Sequence, residues 1–300
     1  MKIGDAKKDS IAILGLGKVG TAVGYLLRSA GYPIAAVASR SPSSLAQGVV
    51  WTGGKPCASF ADAAVQAECI FITTSDDAIL SICETIAQKG CLKPGNKVIH
   101  MSGAGGLEIL NAAKKAGASV GSIHPLQSFA DVEGAIAHIP GSTFGITAQE
   151  EIRQWSVRIV RDMGGNPFFV SEEDKPLYHA AACMASGYLT TLMHTVEEMY
   201  QALGLSRDDA IHAFWPLVRG TLTNIETKGT VVALTGPVAR GDIGTIKKHL
   251  LVLRQKFPTY LSLYCAMGLL AVDLGLKKNA LSEEDAKTIK NLLRGGVENE

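Results

Sequence analysis

Residues 11–20 read IAILGLGKVG. An apolar run that breaks into Gly15, Gly17 and Gly20, the G-x-G-x-x-G spacing, tightly limits what the chain can fold into. The run is a buried strand, and the residues from Lys18 to Gly31 have the spacing of a helix. A glycine turn between strand and helix serves a dinucleotide in a definite way. Gly15 permits the tight turn, Gly17 lets a pyrophosphate approach the backbone, and Gly20 lets helix and strand pack closely. The N–H groups that open the helix, from Leu16 through Lys18 and Val19, are then available to phosphate oxygens.

The rest of the first half repeats this alternation. PIAAVAS, ECIFITT, NKVIHMS and ASVGSIH are strands, separated by helical stretches such as DDAILSICETIAQ and GLEILNAAKKAG. STFGITA and NPFFVS are further strands flanking a helix over residues 150–163. Strand and helix in alternation predict a doubly wound α/β fold, a parallel sheet with helices on both faces. From Asp174 onward the pattern is helical only. Asp174 is placed to cap a long helix with Pro176 in its first turn, and Ser206 with Asp209 and Ser282 with Asp285 resemble capping boxes. The expected organisation is an α/β domain over residues 1–170 and a smaller all-α domain over 171–300.

Composition narrows the functions. The 300 residues are 47% hydrophobic and 19% charged, with a net charge of +1, so the chain is globular and offers no basic surface for nucleic acid or an anionic membrane. The pairs Lys7-Lys8 and Lys277-Lys278 read as solvated ends. The 6 cysteines form no Cys-x-x-Cys pair and stand at no metal-ligand spacing from a histidine, so no metal is expected; Cys69 and Cys265 read as core residues, and a reducing, cytoplasmic setting is the simplest expectation. The first ten residues are too polar for a signal peptide. PTYLSLYCAMGLLAVDLGL, from Pro258, is nearly long enough to span a membrane, but Asp273, Tyr260 and Ser262 interrupt it and it reads as a buried helix.

At the end of the second strand the sequence is ASRSPSS. An NAD-binding strand usually ends in an acid that holds the ribose hydroxyls. Here Ser39 and Arg40 stand in its place. A carboxylate would repel a 2′-phosphate, whereas Ser39, Arg40 and Ser41 could bind it, which predicts NADP. Three more strand ends are polar. TTSDDAI would pass under the nicotinamide with Thr74, Ser75 and Asp77, while Asp76 or Asp77 could simply cap the next helix. MSGAGG brings Ser102 to a strand tip beside Gly103, whose lack of a side chain keeps the loop close to a ligand. IHPLQSF ends its strand at His124. One strand–helix–strand step puts Ser102 and His124 at neighbouring tips on the ligand-binding edge. A histidine there can move a proton as hydride leaves or arrives, with Ser102 orienting it or holding the substrate oxygen; a packing histidine is the alternative. In the helical half, His179 and Ser186 share a helix face at seven-residue spacing, Asn224 follows, and LTGPVARGD supplies Arg240 for an anionic substrate group. Asp242 caps the helix after it.

Taken together, GLGKVG, TTSDDAI, MSGAGG, IHPLQSF, YHAAACMASGYLTTL and LTGPVARGD make the chain resemble, over nearly its whole length, the Rossmann-like proteins with a helical C-terminal domain of unknown function. These are often described as NADP oxidoreductases within the 6-phosphogluconate dehydrogenase-like superfamily. Pyrroline-5-carboxylate reductase, prephenate dehydrogenase and deazaflavin-dependent NADP reductases are related. Prephenate dehydrogenases carry a similar His-Pro at this strand end, where the histidine accepts the substrate hydroxyl proton, and a serine on the preceding strand end; the resemblance implies those roles for His124 and Ser102. LQSF departs from their continuation, so the substrate implied is not prephenate, and Gly187 stands where the family often has Asn after the serine. The expectation is an NADP-dependent oxidoreductase acting on a small, anionic substrate in a cleft between the domains. A non-catalytic NADP sensor, or a reductase with a deazaflavin partner, is the alternative. The apolar helical half also predicts a homodimer.

Overall fold

The computed structural model describes residues 8–297. Lys7 and the polar start of the chain, read above as a solvated end, lie outside the described residues. The chain divides into two compact units, Met1–Tyr188 and Leu189–Glu300.

The first unit is built on eight strands: β1 Ile11–Leu14, β2 Ile34–Ala38, β3 Lys55–Pro56, β4 Cys69–Ile72, β5 Lys97–His100, β6 Ser119–Pro125, β7 Thr143–Ala148 and β8 Asn166–Phe169. They form one sheet in the order β3-β2-β1-β4-β5-β6-β7-β8. The connecting helices are α1 Lys18–Ser29, α2 Pro42–Thr52, α3 Phe60–Ala64, α4 Asp76–Gln88, α5 Asn111–Lys115, α6 Val132–His138, α7 Glu150–Asp162 and α8 Lys175–Cys183. β3 and α3 are short, two and five residues, and α2 has its apolar residues in no clear helical stripe, so these elements lack a distinct sequence signal.

The central strands are buried on both faces, which is why they read as unbroken apolar runs. Ile11, Ile13, Phe71 and Ile99 enter one core with Trp155, Ile159 and Val160 of α7. The alternate residues Ala12, Leu14, Ile70, Ile72 and Val98 enter the other, against Ile79, Cys83 and Ile86 of α4. Cys69 is fully buried, as expected.

The sheet departs from the all-parallel expectation at one place. β7 runs antiparallel to β6, with Ser122 opposite Thr147 and His124 opposite Gly145. The intervening α6 is only seven residues long, and Leu126 N donates to Thr143 O at 2.8 Å, so β7 starts beside the end of β6 rather than at the far end of the sheet. The unit also ends later than the change of texture near residue 170, because α8 lays Lys175 and Tyr178 against the sheet. Asp174 precedes α8 but its carboxylate makes no capping bond; it accepts from Ser171 Oγ at 2.6 Å instead. Lys8 is not a loose solvated end: its Nζ donates to Ala30 O and lies 4.8 Å from the centre of the Tyr32 ring.

The second unit consists of α9 Leu189–Gln201, α10 Arg207–Lys228, α11 Thr230–Ala233, α12 Ile243–Lys256, α13 Pro258–Lys277 and α14 Glu283–Val297. Ser206 accepts from Asp209 N, Ser282 from Asp285 N and Asp242 from Thr245 N, the three caps read from the sequence. Its core gathers Ile246, Leu253, Leu261, Cys265, Val272, Ile289 and Leu293. Lys278 Nζ donates to Val232 O and Leu234 O, so it too is engaged rather than solvated. By length and composition α13 could cross a membrane. The expected buried helix is buried on one face only: Leu261, Cys265 and Val272 point into the core, whereas Met267 and Leu270 are 50% and 58% exposed.

Phe71, fully buried at the middle of the sheet and 6.4 Å from Trp155 between ring centres, anchors the first core. Phe71→Ala is expected to lower unfolding stability by about 3–5 kcal/mol, measured by urea denaturation; a loss under ~1 kcal/mol would show that the core collapses into the gap.

Candidate functional site

The glycine turn has the geometry expected of it. Gly15 sits at φ +113°, a left-handed conformation that favours glycine. A Cβ on Gly20 would fall 2.0 Å from Gly15 O, so only glycine lets α1 start this close to the turn. Thr73 Oγ1 at the end of β4 donates to Gly15 O at 2.6 Å and ties the turn to the sheet. Over Gly17, by contrast, a Cβ would meet nothing within 4 Å, and α1 has no side-chain cap. The helix therefore presents uncapped N–H groups to open space, a cradle that fits a phosphate. Leu16 turns its side chain into the core and Lys18 is exposed, so the loop offers its backbone. At the end of β2, Arg40 is exposed and has no ion pair or hydrogen bond among the described residues. Ser41 accepts from Ser44 N and is 2.8 Å from Ser43 Oγ, capping α2. Ser75 and Asp77 are exposed at the start of α4 beside Thr74.

Beyond the tips of β5 and β6 lies a polar cluster. His100, fully buried at the end of β5, accepts from Ser102 N at Nδ1 (3.1 Å), so its Nε2–H donates to Gly106 O (3.2 Å). This one ring pins both ends of the 102–106 turn. Ser102 Oγ accepts from Gly105 N at 2.9 Å and donates to Asp76 Oδ2 at 2.6 Å. Asp76 is therefore the partner of Ser102 rather than a helix cap, and the Ser102 hydroxyl engages neither His124 nor open space. It shapes the turn. Lys175, 1% exposed, donates from Nζ to Ser122 Oγ at 2.8 Å and to Ser102 O at 3.3 Å; Ser122 Oγ donates to Ser102 O in turn.

His124 does stand beside Ser102's turn at the neighbouring strand tip, as the topology predicts. Its Nδ1 is 2.9 Å from Tyr178 Oη, and its ring centre is 6.1 Å from that of His179. A Cβ at Gly103 would lie 2.6 Å from His179 Cδ2 and 2.9 Å from His124 Nε2, so the two rings face each other across the glycine. Burial, then the nearby Lys175 charge, pull the His124 pKa down to about 4, and burial takes Lys175 down to about 8.

The sequence comparisons fall in place on this geometry. Residues 3–125 match the Rossmann-like domain family, and residues 142–271 match the domain of unknown function DUF2520. The two matches lie in tandem along the chain. No curated protein matches it. Among solved structures, a protein from Thermotoga maritima is 24% identical with a TM-score of 0.71, covering 90% of this chain and 99% of that one. Pyrroline carboxylate reductase from Plasmodium falciparum with NADP bound is 13% identical, with a TM-score of 0.58 over 94% and 98%. Reductive aminase from Aspergillus terreus in complex with NADPH and ethyl-5-oxohexanoate is 15% identical, with a TM-score of 0.59 over 98% and 95%. These likenesses establish the fold.

Of the residues expected on the substrate side, Gly103 and His179 join His124. Ser186 does not. A wider π-helical turn, Met184–Tyr188, follows α8 and breaks the seven-residue register, and Ser186 Oγ donates to Ala182 O. Asn224 and Arg240 belong to the second unit, where Asn224 Oδ1 accepts from Lys228 Nζ at 2.9 Å and lies along a hollow with His212, Trp215 and Arg219; Arg240 is exposed. Sequence reasoning missed His100, Ser122, Lys175 and Tyr178. The signal for two of them was present: in KPLYH, Lys175, Tyr178 and His179 fall on one helix face.

His100 ties acid stability to the site. Its folded pKa is lowered to about 3 from an ordinary 6.5, chiefly by burial. Between those values the unfolded chain binds a proton that the folded chain does not, so stability is lost as pH falls from about 6.5 towards 3. Urea unfolding at pH 7 and pH 5 should show a wild-type loss larger than that of His100→Gln by about 1–2 kcal/mol. Equal losses would mean that His100 protonates freely in the folded chain.

Proposed function

We propose that this chain is an NADP-dependent oxidoreductase that moves a hydride between the nicotinamide and a small, anionic substrate. The observation that carries the reading is the uncapped N-terminus of α1 beneath an open Gly17, with the exposed guanidinium of Arg40, unpaired among the described residues, at the end of the next strand. Gly15, Gly17 and Gly20, with the backbone from Leu16 to Val19, would hold the pyrophosphate. Ser39, Arg40 and Ser41 would hold the 2′-phosphate, and Thr74, Ser75 and Asp77 would line the nicotinamide side. Two proteins of the same fold, the Plasmodium reductase and the Aspergillus aminase, have NADP or NADPH bound. The cofactor would supply or accept the hydride.

The protein's own part is at the strand tips. His124 packs beside Gly103 with His179 across from it, leaves Nε2 without a hydrogen-bond partner among the described residues, and is the group proposed to meet the reacting atom. Burial and the Lys175 charge keep it neutral at physiological pH, so it meets that atom as an uncharged imidazole. Ser102, Asp76, Ser122 and Lys175 hold the turn against which the substrate would lie. For the anionic group of the substrate the proposal keeps Arg240, and for a homodimer contact the uncovered face of α13 with Met267 and Leu270.

Calorimetric titration with NADPH and NADH tests the cofactor. NADPH is expected to bind more tightly, and Arg40→Ala to weaken it about 10–100-fold while leaving NADH unchanged, the loss of one charge-assisted phosphate contact. Equal or absent binding of both would overturn the cofactor assignment. NADPH oxidation against a panel of carboxylated ketones and imines tests the chemistry: His124→Ala should retain NADPH binding and lose at least about 100-fold in rate. Unchanged turnover would remove His124 from the reaction.

A further inference from the structure

We infer that Tyr178 fixes His124 as its Nε2–H tautomer, so that the site offers a hydrogen-bond donor to the reacting atom and takes a substrate whose reacting group accepts through a lone pair, as a carbonyl oxygen does. The inference rests on the proposed placement of substrate at His124 and deepens it by naming what the histidine can recognise.

The Nδ1–Oη distance is 2.9 Å and the two rings are nearly perpendicular, at 89°, so the phenol meets the edge of the imidazole. Two arrangements of the proton are open to a neutral pair. A phenol O–H is a much stronger acid than a neutral imidazole N–H, and the bare imidazole nitrogen is a much stronger base than a phenol oxygen. The phenol therefore donates to Nδ1, and the imidazole proton goes to Nε2. The surroundings favour the same arrangement. Burial raises the Tyr178 pKa, keeping the phenol protonated, while the backbone amide of Gly145 faces its oxygen. The charged and titratable groups near His124 are Lys175, His179 and Asp76, and burial outweighs the single carboxylate among them.

Two glycines keep this pair in register. A Cβ at Gly145, directly opposite His124 across β6 and β7, would lie 2.7 Å from Tyr178 Oη. A Cβ at Gly103 would lie 2.9 Å from His124 Nε2. The first glycine admits the phenol on the Nδ1 side; the second lets the His124 and His179 rings pack beside the turn, and Nε2 of His124 has no hydrogen-bond partner among the described residues. An Nε2–H without a protein acceptor favours a carbonyl oxygen or an unprotonated imine nitrogen. It opposes a protonated imine, whose nitrogen is itself a donor.

The test is the tautomer itself, read without cofactor or substrate. Two-bond nitrogen–proton correlation spectra of the full chain with ¹⁵N-labelled histidine, at pH 7, would be assigned by the signals lost in His124→Gln. The expected spectrum has His124 with a protonated Nε2 and a bare, hydrogen-bonded Nδ1. In Tyr178→Phe the His124 signals should move towards a mixture of tautomers. A protonated Nδ1 or an imidazolium in the wild type would overturn the inference, as would signals unchanged in Tyr178→Phe. If that variant does not fold, the wild-type spectrum still decides. Because no cofactor is added, a wrong tautomer would leave the oxidoreductase reading standing, and a failure to bind NADPH would leave the tautomer result intact.

Discussion

The interaction on which the first unit most depends is the burial of one ammonium. Lys175 is all but removed from water, and taking an ion out of water costs several kcal/mol unless hydrogen bonds and opposite charges offset it. The Nζ has Ser122 Oγ and Ser102 O at bonding distance, with Glu108, Asp76 and Glu172 as the surrounding carboxylates. The two hydrogen-bond partners come from β6 and from the turn beyond β5, so satisfying one lysine fixes the relative positions of two strand tips. It also draws α8 into the first unit, which is why that unit runs to Tyr188 rather than stopping where the strands stop. The same positive charge, added to burial, holds His124 neutral. A structural charge thereby sets the protonation state of the group next to it.

Around that lysine, the glycines act by the space they leave. Gly20 leaves room for the carbonyl of Gly15, Gly103 for the rings of His124 and His179, and Gly145 for the phenol of Tyr178. The gap above Gly17 differs from these because nothing fills it. Where a missing side chain is replaced by protein atoms, the glycine explains packing. Where it is replaced by nothing, over an uncapped helix N-terminus, it explains access.

How much could be read from the residues follows the range of the interactions involved. The strand–turn–helix of residues 11–29 and the end-to-end neighbours Ser102 and His124 were legible, because they depend on local periodicity and on one topological step. The reversed strand β7 was not, because its direction depends on how short α6 is and where it returns the chain. Asp76 was legible as a helix-cap candidate but not as the partner of Ser102, since that contact joins two strand ends through space. Lys175 shows the limit best. A lysine at the start of a helix reads as solvated, and only the assembled sheet edge supplies the oxygens that make its burial tolerable. Ser186 illustrates the opposite limit: a seven-residue helical spacing does not survive a stretch where the helix widens.

The two histidines beside this lysine differ in how far the protein completes their hydrogen bonding. Both are buried enough to stay uncharged at neutral pH, and each has a hydrogen-bond partner at Nδ1. At His100 the donor is the Ser102 backbone and the Nε2–H is spent on Gly106 O, so the ring is complete and serves to hold the turn. At His124 the Nδ1 partner is a side chain, Tyr178, and Nε2 has no hydrogen-bond partner among the described residues. Burying an N–H costs free energy unless it finds an acceptor. An imidazole nitrogen without a protein acceptor is left for a ligand or water to complete, and in that respect the two rings differ: His100 is spent on its turn, whereas His124 is the ring the proposed reaction can use.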